Sequence, residues 1–188
     1  MSDYVTIANM AASLIGEDDQ IRTPDDDTHI GRTIRAVWDL CRRAAIRDHS
    51  WNCFMARDGL TAEALPTVPY PWSYSFPLPA DSVRLIEVLN TPRIPYQLEV
   101  YVRYLRDLPE PALWDDLFAV AFARRIAVQV GKRIAGSSYD QVAGWRLYQS
   151  ALSDAKRTDA RENPQVEHDM TAWETARFGG SYIPGVNA

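Results

Sequence analysis

The chain has no run of about 18 apolar residues, so no segment reads as a membrane-spanning helix. Its opening residues, Met1-Ser2-Asp3-Tyr4, lack the basic cluster of a secretory signal. Cys41 and Cys53 are the only cysteines, too few for a disulfide framework, and reduced thiols are expected. Three histidines are present, His29, His49 and His168, and none shares a helix with a second His or Cys at a metal-ligand spacing. Glycine-rich phosphate loops, dinucleotide fingerprints and nucleophile elbows are all missing. Lysine is nearly absent: Lys132 and Lys156 stand against 18 arginines.

What remains is an ordinary globular balance. The 188 residues are 46% hydrophobic and 24% charged, enough for one domain with a sizeable core. A net charge of −5 argues against a general nucleic-acid binder, which needs a basic surface to displace phosphate counterions. Planar arginine forks and 20 aromatic residues suit interfaces.

Hydrophobic periodicity predicts four helices. The first covers 3–15, with Val5, Ala8, Ala12 and Ile15 on one stripe and Gly16 as its stop. The second covers 24–48, with Thr23 as cap, Pro24 at the first helical position and Asp25 and Asp26 facing the positive end of the dipole. Its stripe is Ile30, Ile34, Val37, Trp38, Cys41 and Ala45, leaving Arg32, Arg35, Arg42, Arg43 and Arg47 largely off it. The third covers 111–135, opened by Pro109-Glu110-Pro111, and should be the most buried. Its apolar positions, Leu113, Leu117, Val120, Phe122, Ala123, Ile126, Ala127 and Val130, cover most of its circumference. The fourth covers 139–160, with Ser138 and Gln141 as a capping box and Val142, Trp145, Tyr148, Leu152 and Ala155 as its stripe. Trp38, Phe122, Ile126, Trp145 and Leu152 are the expected core.

Between 51 and 108 prolines exclude long helices. Trp72, Tyr74, Phe76 and Leu78 alternate with polar or turn residues, and 83–89 and 99–105 are further extended candidates. Three to five short strands, in hairpins, are expected there. Pro164 closes the regular pattern. The segment 163–188 has no core stripe, yet it carries Trp173, Phe178, Tyr182 and Ile183 among glycines and Pro184, an unusual aromatic content for a solvated tail.

The fold expected is therefore mainly α, of the α+β kind: an antiparallel helical bundle with a small antiparallel β element and an extended C-terminal arm. Residues 1–162 form the core, with the β insertion at about 51–108, and 163–188 form the arm.

Candidate chemistry is thin. Glu17-Asp18-Asp19 and Asp25-Asp26-Asp27 lack the alternating acids and closing glutamate of a calcium loop. His49 and Cys53 are close enough in sequence for a thiolate–imidazole pair, which would serve a hydrolase, but no oxyanion feature accompanies them. The arginine face of the second helix could meet DNA, giving a small helical nucleic-acid-binding regulator. A helix-turn-helix partner at a tight turn is missing, since 16–23 is longer and acidic. No catalytic, cofactor or metal residue is assigned.

One ordered set of features is more specific. Leu14-Ile15-Gly16 and an acidic loop are followed by Ile21, Thr23-Pro24 and Asp26-Asp27, then by Trp38, Arg42, Arg43 and His49-Ser50-Trp51-Asn52. Phe76-Pro77-Leu78-Pro79-Ala80-Asp81 precedes a strand, Tyr101 and Tyr104 follow, and then come Pro111-Ala112-Leu113-Trp114, Tyr148, Leu152 and Ala155. In order and spacing, over about residues 5 to 160, this resembles the phage head-to-tail adaptors, the tail-accessory and tail-tubular connector family. The resemblance implies a non-enzymatic virion protein of the neck or tail, assembled in the host bacterial cytoplasm. A ring of 12 copies would sit under the portal protein, extend the DNA channel without sequence-specific binding, and carry a distal tail or nozzle protein. It further implies that the C-terminal arm docks on the portal, through Trp173, Arg177, Phe178, Tyr182 and Ile183.

Overall fold

The structure, a computed structural model, describes residues 2–63, 74–89 and 99–162. It is a mixed α+β fold of four helices and one small antiparallel sheet.

Helix α1 (Tyr4–Ile15) starts where the Asp3 carboxylate accepts the Thr6 N–H at 2.7 Å. It stops at Gly16, whose φ of 87° lets its N–H turn back to the carbonyls of Ala12 and Ser13. Its inner face is Ile7, Ala8, Ala11, Ala12 and Ile15, and the alanines let it lie close to its neighbours. The Asn9 side chain then clamps the following loop. Its amide donates to the Ile21 carbonyl at 2.9 Å and its oxygen accepts the Ile21 N–H at 2.8 Å, which holds Ile21 in the core.

Helix α2 (His29–Arg47) starts five residues later than the proline signal predicts. Thr23 does not cap it. Residues 23–26 form a turn, closed by Asp26 N–H on the Thr23 carbonyl at 3.1 Å. The Asp26 carboxylate accepts the N–H groups of Arg22 and Thr28, and Thr28 is the cap, accepting the Gly31 N–H at 3.2 Å. A proline and two acids suit a turn as well as a first helical turn, and the Asp26 side chain decides between them.

After a 3₁₀ turn at Asn52–Phe54 come β1 (Met55–Thr61), β2 (Ser82–Val88) and β3 (Glu99–Arg106). The order is β1-β3-β2, all antiparallel, with Met55 opposite Leu105 and Arg57 opposite Arg103. Of these described strands, only β2 and β3 are neighbours in both sequence and space. The alternation at 72–78 makes no named strand among its described residues: Ser75 forms one bridge with Glu63, and residues 72 and 73 lie outside the described chain.

Helix α3 (Asp116–Ile134) also starts later than expected. Pro111–Leu113 is a 3₁₀ turn, and Trp114 leaves it extended, its indole N–H on the Leu108 carbonyl at 2.9 Å. Asp115 is the true cap, accepting the N–H groups of Leu117 and Phe118. Leu113 and Leu117 are consequently exposed rather than buried, and Val120 is half-buried. Helix α4 (Gln141–Glu162) is capped by Asp140, whose carboxylate accepts the N–H groups of Val142 and Ala143. The Ser138–Gln141 capping box does not form, because Ser138 ends a 3₁₀ turn and its hydroxyl donates to the Ala135 carbonyl.

Helix α3 packs against all three other helices. Around it lies an aromatic core. Phe118 and Phe122, one turn apart, are met by Trp38, Trp51, Phe54 and Trp114 with ring centroids 4.7–5.4 Å apart, mostly edge to face. The sheet shares this core through Leu105 and Val83 and keeps a second, smaller one of Leu60, Val100, Val102 and Tyr104.

Candidate functional site

The arginines of α2 are the first candidates, and most are committed within the chain. Arg32 pairs with Asp27 at 3.0 Å. Arg35 donates to the carbonyls of Pro24 and Asp26. Arg42, placed off the stripe by periodicity, is 8% exposed. Its guanidinium grips Asp107 through two bonds of 2.9 and 3.0 Å and Asp39 through a third of 2.7 Å, fastening α2 to the end of β3. Arg47 donates to the Val83 carbonyl at 2.9 Å. Arg43 is exposed, with no ion-pair partner among the described residues.

His49 and Cys53 do not form a pair. The His49 Nε2 faces Asp159 at 3.2 Å, and its ring stands edge-on to Trp51. Burial pushes the Cys53 thiol up to about 11, the opposite of nucleophile activation. Asp159 is buried near the end of α4 and accepts the Asn52 N–H at 2.9 Å, while the Asn52 amide donates to the Asp159 carbonyl at 2.9 Å. Nothing local in sequence announces this contact between residues 107 apart.

A second polar knot joins three helices. Arg125 donates to the Asp48 carboxylate at 2.6 Å and to the Tyr148 hydroxyl at 2.8 Å, and that hydroxyl donates to Asp48 at 2.9 Å. Burial is the main cause that pushes the Tyr148 phenol up to about 12.

Among the described residues no group of three or more His, Cys, Asp or Glu could hold an ion. The Asp26 carboxylate is spent on backbone N–H groups, which hold it below the ordinary carboxylate range.

The clearest surface feature is apolar. Val142 is 62% exposed, Trp145 51% and Leu147 55%. Trp145, expected in the core, is therefore a surface residue. The reason lies at Gly144 and Gly131. The Tyr139 ring occupies the place where a Gly131 Cβ would be, 2.6 Å from it, and the Tyr139 hydroxyl presses on Gly144. This sets the rotation of α4, so that Tyr148, Leu152, Ala155 and Asp159 face inward and Trp145 is left at the edge. Between α3 and α4 runs a groove of about 230 Å³ lined by Leu117, Val120, Leu147, Ala151, Arg124 and Asp154. A second cavity of about 370 Å³, beside the end of α1, shares Arg124 and Leu147 with it. The Arg124 Nε is buried without a hydrogen-bond partner among the described residues.

The expected docking residues Trp173, Arg177, Phe178, Tyr182 and Ile183 lie outside the described residues. No helix of the described chain is long and apolar enough to cross a membrane. No protein-family model matches the chain, and a comparison with curated proteins finds no matching sequence.

Proposed function

We propose that the chain is a virion structural protein, a phage head-to-tail adaptor. In this reading copies form a ring, 12 in number, under the portal protein. The ring continues the DNA channel without gripping sequence and presents a platform for a distal tail or nozzle protein. The finer architecture belongs to the same reading: an antiparallel helical bundle centred on α3, with 163–188 as an arm that docks on the portal through Trp173, Arg177, Phe178, Tyr182 and Ile183. The place of work is the virion neck, after assembly in the host bacterial cytoplasm.

One observation carries it. A body with a well-packed aromatic core still presents Leu117 and Leu147 to solvent on the walls of the groove between α3 and α4, with Trp145 and Val142 exposed on the opposite flank of α4. Leucines exposed along a groove with Arg124 among them, and a half-exposed tryptophan on the flank of the same helix, are the composition of protein–protein contacts. The competing reading, a small nucleic-acid-binding regulator, needs a free arginine face on α2. It loses support because Arg32, Arg35, Arg42 and Arg47 are each bonded to acceptors of their own chain.

The test is the particle mass of the purified protein, alone and mixed with its portal. A ring-sized complex with the portal supports the reading. Deleting 163–188 should abolish that complex while leaving the melting temperature almost unchanged. A large fall in stability with portal binding retained would place the segment with the body instead.

A further inference from the structure

The sheet carries charge unevenly. Partners across a ladder share a face, so Arg57 on β1, Arg103 on β3 and Arg84 on β2 lie on one side, with Glu99; the Met55–Leu105 end of that side is packed on the helices and the rest is open. Arg47 at the end of α2 adjoins them: it donates to the Val83 carbonyl, and Arg84 donates to the Arg47 carbonyl at 3.2 Å. Within this group only Arg103 has a countercharge, Glu87 at 2.9 Å, and the Arg103 Nε is buried with no partner among the described residues. Arg57 stands directly opposite Arg103, a like-charge placement that costs stability in an isolated sheet.

The opposite charge sits at the other end of the same helix. Asp18, Asp19 and Asp25 are exposed, and none has an ion-pair partner among the described residues. They precede the start of α2, whereas the arginines surround its end. The 19 residues of α2 put roughly 28 Å between the two clusters. Apart from charges paired within the chain and from Arg22, the exposed acids thus gather before α2 and the sheet arginines beyond its end.

We propose that the arginine face of the sheet is the docking surface for the acidic 17–27 segment of a second copy. Copies then associate head to tail. The contact is heterologous: each copy uses one surface toward one neighbour and the other toward the next, as a closed ring requires. The inference deepens the ring reading above and rests on it. Charge complementarity favours a second copy over nucleic acid. The chain carries an unpaired acidic surface to match the arginines, whereas Glu87 and Glu99 within the face and the net negative charge all oppose a polyanion.

The experiment uses charge reversal in the full chain. One variant is Arg57→Glu with Arg84→Glu, and the other is Asp18→Arg with Asp19→Arg. All four positions are exposed, so both variants should melt with the wild type, and the neutral pair Arg57→Gln with Arg84→Gln serves if the glutamates do not fold. Particle mass is measured at high protein concentration from low to high salt. The wild type should associate at low salt and fall toward monomer as the screening length shrinks from roughly 10 Å at 0.1 M to roughly 3 Å at 1 M. Each reversal should weaken association by about tenfold or more. An equimolar mixture of the two reversed chains should restore it, since every contact between unlike chains is again opposite in sign.

A wild type that stays monomeric at low salt overturns the contact, as does association unchanged by either reversal, or a mixture of folded variants that fails to recover. Loss of short-duplex DNA binding in the arginine variant, with particle mass unchanged, assigns the face to nucleic acid and also overturns it. Ring formation on the portal that survives both reversals removes this contact and leaves the adaptor reading in place. Self-association restored by the mixture, without any portal binding, does the reverse.

Discussion

Helices α3 and α4 carry two aromatic residues each, Phe118 and Phe122 against Trp145 and Tyr148, and meet different fates. In α3 ten residues are buried, from Phe118 to Gly131, because α1, α2 and α4 all pack against it. In α4 only Tyr148, Leu152, Ala155 and Asp159 are buried, a line of spacing four, three and four. Its main helical neighbour is α3. The difference shows that a helix buries as much of its surface as it has neighbours. Apolar residues beyond that line are surface, whatever their periodicity suggests.

Truncation separates the two helices most sharply. Phe122→Ala, in the centre of the aromatic core, should cost about 3–5 kcal/mol in urea unfolding. A cost below about 1 kcal/mol would mean that α3 is not the centre of the packing.

The seam between the helices responds to pH. Burial raises the Tyr148 phenol from 10.0 to about 12, so the neutral form is favoured by folding. Its contribution is complete below pH 10 and is lost as the pH rises from there toward 12. The loss should be about 2–3 kcal/mol, read by denaturation at a series of pH values. A Cys53→Ala background keeps the thiol, itself raised to about 11, from sharing the slope. Tyr148→Phe in that background should make it shallower, leaving the part that comes from Tyr4, Cys41, Tyr104 and Tyr139, which burial also raises.

Gly131→Ala tests why α4 sits as it does. The new methyl meets the Tyr139 ring at 2.6–2.7 Å, and overpacking of this kind should cost about 1–3 kcal/mol. The same substitution beside Tyr139→Ala should cost clearly less. Equal costs in the two backgrounds would show that the ring does not set the rotation of α4.

The smallest effect belongs to Trp145→Ala. Half exposed, it should change stability by less than about 1 kcal/mol. Its effect should appear instead in binding to a partner protein, measured by complex mass.

Legibility in the sequence followed the range of the interactions. The mixed α+β character, the four helices and the burial of Trp38, Phe122, Ile126 and Leu152 follow from periodicity, a local signal. Helix starts were shifted by side chains that choose between turn and helix, Asp26 before α2 and Asp115 before α3. Trp145 was misplaced because glycine has no hydrophobic weight, and Gly144 marks the contact line through what it leaves room for. The polar knots of Arg42 with Asp107 and of Arg125 with Asp48 and Tyr148 join distant residues and leave no local trace. The acidic run before α2 is contiguous and legible, whereas the arginines beyond its end are assembled from α2 and three strands and are not.

Asp159 has a mechanical consequence. It sits one turn before the end of α4 and holds Asn52 by two bonds, one through its side chain and one through its carbonyl. Tension applied at Glu162 can peel the helix back only to this point before both bonds resist together. Beyond it the strain passes to Asn52, at the joint where α2 hands the chain to the sheet. A tug on the end of α4 therefore loads the Asn52–Phe54 turn, which Trp51 and Phe54 anchor in the core, rather than unravelling the helix.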